Sequence, residues 1–97
     1  MNFQEVFSNC SSLQEIPEGL FDYNTKVTDF GYAFNFCKNV ISESPYTIIN
    51  VNGQDMKVHL YERSNYPEYF TAPTTYTHCF RYCSNLTDYN EIPSRWK

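Results

Sequence analysis

Three stretches of this chain align without a gap: "FQEVFSNCSSL" at 3–13, "FGYAFNFCKNV" at 30–40 and "YTHCFRYCSNL" at 76–86. They share the pattern aromatic-x-x-small-Phe-x-x-Cys-x-x-Leu/Val. A unit this short cannot bury its own apolar face, so a chain built on it has to stack its units. The apolar positions fall at i, i+3, i+4, i+7 and i+10. Alternating steps of three and four follow one face of a helix with 3.6 residues per turn, so the spacing predicts three short helices. Cys10, Cys37 and Cys83 take one equivalent position, and Cys79 aligns with Val6 and Ala33 in a small apolar slot.

The flanks repeat as well. Ser12, Asn39 and Asn85 stand just past the apolar stripe, where residues that turn the chain end a helix. Leu13-x-x-Ile16-Pro17 and Leu86-x-x-Tyr89-x-x-Ile92-Pro93 read as short strands ended by proline, which cannot donate to a ladder. Pro17, Pro45 and Pro93 each precede an apolar residue by three positions, the spacing of a short helical turn opened by proline. Asp29 and Thr75 precede the second and third units as expected N-caps. The first two units are 27 residues apart and the next two 46. The excess contains "TIINV" and "QDMKVHLYER" on either side of Asn52-Gly53, a strong hairpin signal. A β-hairpin is expected over about 46–62, followed by the loop "SNYPEYFTAPTT".

At 97 residues the chain is one domain or a piece of a larger protein. Aromatic residues make up 19% of it, which excludes a disordered composition. The net charge is −4 and the seven basic residues are scattered, so no stripe exists to pair with nucleic-acid phosphates. No apolar run approaches the ~20 residues of a membrane span. Met1-Asn2-Phe3-Gln4-Glu5 lacks the features of a signal peptide, although a secreted parent can lose its signal.

The cysteines read as small buried hydrophobes. Equivalent positions on neighbouring stacked helices lie about 8–10 Å apart, beyond the ~7 Å between Cα atoms that a disulfide tolerates. His78, Cys79 and Cys83 invite a zinc reading. However, both cysteines belong to the apolar stripe and no fourth ligand has a matching spacing, so no metal or cofactor is expected. No Cys–His or carboxylate pair has the spacing of a catalytic constellation, and the three glycines are isolated, so no enzyme activity is expected. "YERSNYPEYFTAPTTY" at 61–76 is the interesting stretch. Tyr61, Arg63, Tyr66 and Tyr69 are the candidate ligand-binding residues, because Tyr and Arg are the side chains that anchor interfaces and aromatic planes stack on sugars. The competing reading is that these rings pack the insertion onto the repeats as a satellite core. Asn85-Leu86-Thr87 and Asn9-Cys10-Ser11 match the glycosylation pattern but read more simply as turn and helix residues.

The second unit, "VTDFGYAFNFCKNV" at 27–40, resembles the BspA-like leucine-rich repeat family of bacterial surface proteins. That repeat reads approximately Val-Thr-x-Ile-Gly-x-x-x-Ala-Phe-x-x-Cys-x-x-Leu. Val27, Thr28, Phe30, Gly31, Ala33, Phe34, Cys37 and Val40 match it, with one residue fewer between Gly31 and Ala33. Phe7, Cys10 and Leu13 keep the pattern in the first unit, and Phe80, Cys83 and Leu86 in the third. The resemblance implies an α+β fold: a short leucine-rich-repeat solenoid of about three strand–turn–helix units, interrupted by the inserted β-hairpin. It would form one domain over 1–97, with the insertion at about 46–75, cut in mid-repeat from a larger protein. It also implies a non-catalytic binding module, at a bacterial cell surface or secreted, that engages a protein partner through its repeats and insertion. The alternatives are a carbohydrate-binding surface on the insertion aromatics and a purely structural spacer or capping domain.

Overall fold

The computed structural model describes residues 3–10 and 12–97. Ser11, the last residue of one glycosylation pattern, lies outside them, as do Met1 and Asn2. The described residues contain no α-helix, and the expected strand–turn–helix solenoid is not what the chain forms. Each of the three repeated segments is instead a run of tight turns. In the second, the amides of Ala33, Asn35, Cys37 and Val40 donate to the carbonyls of Phe30, Tyr32, Phe34 and Cys37, three residues back. Alternate amides reach the next segment. Those of Phe30, Tyr32, Phe34 and Phe36 donate to Thr75, Thr77, Cys79 and Arg81 at 2.7–3.0 Å. Those of Phe3, Glu5, Phe7 and Asn9 donate in the same register to Asp29, Gly31, Ala33 and Asn35 at 2.8–2.9 Å.

Each segment also turns through positive φ at the same two places, Glu5, Tyr32 and His78 at one and Asn9, Phe36 and Tyr82 at the other, with φ between 53° and 65°. A positive φ every fourth residue is incompatible with a right-handed helix. The residues explain the choice. A unit such as Phe-Gly-Tyr-Ala-Phe-Asn-Phe-Cys-Lys-Asn-Val is poor in helix formers, and a helix of about three turns is marginal in water by itself. Stacked coils satisfy the same amides and bring equivalent side chains into register. Phe7, Phe34 and Phe80 form a column, with ring centroids 5.3 and 5.5 Å apart and planes within 19° and 7° of parallel. The three-and-four spacing therefore marks a buried face, but of turns rather than of helices.

The segments after the coils do not form the expected strands. Single backbone–backbone bonds join them: Ile41 donates to the Gln14 carbonyl at 2.8 Å, and Thr87 to that of Ser42 at 3.1 Å. Asp29 is not a helix cap. Its carboxylate accepts from the Gly31 amide at 3.0 Å, and its backbone forms an isolated parallel bridge with Thr75. Trp96, in a 3-10 turn over Ser94–Trp96, closes the third coil. It stacks on Tyr76 at 4.6 Å, and its carbonyl accepts from the Phe80 amide.

The hairpin forms as the sequence indicates. β1 (Tyr46–Val51) pairs antiparallel with β2 (Gln54–His59), Val51 opposite Gln54. Asn52 and Gly53, at φ 53° and 85°, make the two-residue turn that needs positive φ at both positions. A 3-10 helix over Leu60–Asn65 then carries the chain back toward the coils. The insertion docks through buried Leu60, which joins the main core, and through the Thr71 and Thr74 amides, which donate to the Thr25 and Thr28 carbonyls.

Candidate functional site

The four cysteines are free thiols, as the repeat requires. Cys37, Cys79 and Cys83 are buried and Cys10 is half-buried, though on coils rather than helices. Cys37 Sγ donates to the Phe7 carbonyl at 3.0 Å, and Cys83 Sγ to that of Phe34 at 2.9 Å. Each thiol thus ties one coil to the phenylalanine of the coil before. The Cys83 thiol is pushed up by its hydrogen bond with Cys37 and by burial, and burial raises Cys79. His78 stands away from this column. Its ring packs on Tyr32 and its Nδ1 meets the Lys97 carbonyl at 3.1 Å, so His78, Cys79 and Cys83 do not converge on a common point.

The four candidate residues of the insertion occupy three environments. Arg63 is 2% exposed. Its guanidinium donates to the carbonyls of Asn24 (2.8 Å) and Phe21 (3.2 Å) and lies over the Phe70 ring at 4.5 Å. Burial lowers its pKa to about 10, against the pull of Asp22. Its two terminal nitrogens bond the protein's own backbone and fasten the insertion to the first coil's return segment, while Nε is buried without a hydrogen-bond partner among the described residues. Tyr61 is half-buried and stacks on His59 at 5.2 Å. Burial, reinforced by the charge of Asp88, raises its pKa.

Tyr66 and Tyr69 are the pair that reaches solvent together. With Val51, Asn52, Asn65 and Glu68 they line a cavity of about 280 Å³ between the hairpin tip and the loop. Tyr69 is 39% exposed, and its hydroxyl donates to the Asn50 carbonyl at 3.2 Å, which fixes the ring against β1.

A second polar site joins parts far apart in the sequence. His59, at the end of β2, has both ring nitrogens on carboxylates: Nδ1 on Glu62 at 2.7 Å and Nε2 on Glu43 at 2.5 Å. Asp88 Oδ2 lies 3.6 Å from Nε2. Asp88 is held in turn by Ser44, whose amide and hydroxyl donate to it at 3.0 and 2.5 Å, and Lys57 Nζ is 3.0 Å from Glu43. Burial works against a charge on His59. The bonds to Glu43 and Glu62 and the Asp88 charge outweigh it and raise its pKa. Glu43 is correspondingly lowered: burial opposes its charge, and His59 and Lys57 more than offset that. Among the described residues, Glu43, His59 and Asp88 are the group whose donor atoms gather closely enough for one metal ion, all within 4.8 Å. No spacing in the sequence announces them, because a hairpin, a 3-10 turn and a return segment bring them together. The capping-box relation between His59 and Glu62 is the one local trace.

No family model, no curated protein and no solved structure matches the chain.

Proposed function

We propose that this chain is a non-catalytic binding module whose contact surface is the outer side of the insertion. The observation that carries the reading is the cavity between the hairpin tip and the loop, with Tyr66 and Tyr69 on its wall. Tyrosine offers large, rigid amphipathic area at low entropic cost, and the Tyr69–Asn50 bond preorganises one ring. Arg63 supports this surface from beneath by anchoring the insertion. A protein partner is the primary reading. The mixture of two tyrosines with Asn52, Asn65 and Glu68 favours a glycan as the second, since aromatic planes and amide or carboxylate groups together suit a sugar. The resemblance to bacterial surface repeats supports a site of action at the cell surface or outside the cell.

The test is a binding screen against glycans and surface proteins, followed by Tyr66→Ala with Tyr69→Ala in the intact chain. Each anchor is expected to contribute ~1–3 kcal/mol to binding, with circular dichroism unchanged. Unaltered affinity in the folded double variant refutes the assignment.

A further inference from the structure

We propose that Glu43, His59 and Asp88 form a binding site for a first-row divalent transition ion of the zinc class, with Glu62 as the outer-shell carboxylate that orients the imidazole. The donor set is imidazole-led and comes from three separate segments, each fixed by a partner of its own. Metal-binding histidines characteristically give their other ring nitrogen to a carboxylate, which sets tautomer and orientation. Glu62 does this at Nδ1, leaving Nε2 turned toward Glu43 and Asp88. Ser44 holds Asp88 in the same way.

One donor separation already suits the ion, and the others lie within 4.8 Å. Zinc binds nitrogen and carboxylate oxygen at about 2.0–2.2 Å, so tetrahedral donors stand about 3.3–3.6 Å apart. Nε2 and Asp88 Oδ2 are already 3.6 Å apart. Glu43 Oε2, at 2.5 Å from Nε2, has to withdraw by about 1 Å. It is the partly exposed member, 30% exposed against 7% for Asp88, and its own partner, Lys57, is an exposed flexible side chain that can move with it.

A separate observation, the charge balance, also calls for a cation. Glu43, Glu62, Asp88 and Glu91 line the open cleft of about 390 Å³ in which these groups lie, facing only Lys57 and His59 as positive groups. Asp88 is buried and, among the described residues, its ion-pair partner is His59 and not a Lys or Arg. A divalent ion in the place now bridged by a proton adds one positive charge and so halves that excess, with water completing the coordination from the cleft. Imidazole nitrogen selects zinc-class ions over magnesium or calcium, which take all-oxygen sets.

The experiment titrates Zn²⁺ into the full reduced chain after metal stripping, with Co²⁺ as spectroscopic probe and Mg²⁺ as control. The expected result is one ion per chain, a raised thermal midpoint, and a Co²⁺ spectrum without the thiolate charge-transfer band that binding by the cysteines would give. Outer-shell changes cost about 10–100-fold in affinity. Glu62→Gln should fall in that range and Glu43→Gln at least as far, while the metal-free variants keep the wild-type circular dichroism spectrum. Absence of saturable Zn²⁺ binding at millimolar concentration overturns the proposal. So does a thiolate band, undiminished affinity in Glu43→Gln, or equal binding of Mg²⁺.

Discussion

Glu5→Gly separates stacked turns from short helices by the sign of its effect. Glu5 is solvent-exposed and has φ of 59°, in the left-handed region. Its amide donates to Gly31, a bond glycine keeps. A non-glycine residue held left-handed costs ~1–2 kcal/mol. Glycine removes that cost and adds back ~0.5–1 kcal/mol of chain entropy. The net expectation is a stabilisation of ~0.5–1 kcal/mol, worth ~2–8 °C in thermal midpoint at ~4–8 °C per kcal/mol for a domain this small. In a helix the same change would destabilise by ~0.5–1 kcal/mol. Thr77→Gly is the internal control, since Thr77 is exposed in the third coil and lies outside the positive-φ set. It should lose ~1 kcal/mol. Thermal unfolding followed by circular dichroism reads both. A lowered midpoint for Glu5→Gly, matching that of Thr77→Gly, refutes the turn geometry of the coils.

Phe34→Ala removes the middle ring of the Phe7–Phe34–Phe80 column and should cost ~3–5 kcal/mol, a large share of the ~5–15 kcal/mol of a typical domain. Urea denaturation showing a loss under ~1 kcal/mol would mean the column is not packed as described. In metal-free protein, the raised His59 pKa means its stabilising contribution is fully present below the unfolded value of 6.5 and is lost as pH rises through the folded value. Denaturation midpoints across that window should fall with pH in wild type, and His59→Gln should flatten this component.

The periodic skeleton was legible in the residues alone: three equivalent units, their inward Phe and Cys positions, four unbridged thiols, and a two-residue Asn52-Gly53 hairpin. These are local. Equivalent residues must meet when units stack, and a turn that needs positive φ twice selects Asn-Gly. The backbone path of the units was not legible, because steps of three and four describe the buried stripe of a helix and of a run of β-turns alike. Only the neighbouring coil decides between them, by accepting every second amide. Arg63 illustrates the same limit. Its place in a tyrosine-rich stretch reads as an interface anchor, yet the carbonyls of Phe21 and Asn24, some forty residues away, draw its guanidinium inside. The His59 cluster lay furthest from view. Its carboxylates come from positions 43, 62 and 88, and of these only Glu62 is near His59 in the chain. Electrostatic attraction acts through space, so this centre exists only once the insertion has folded back on the coils.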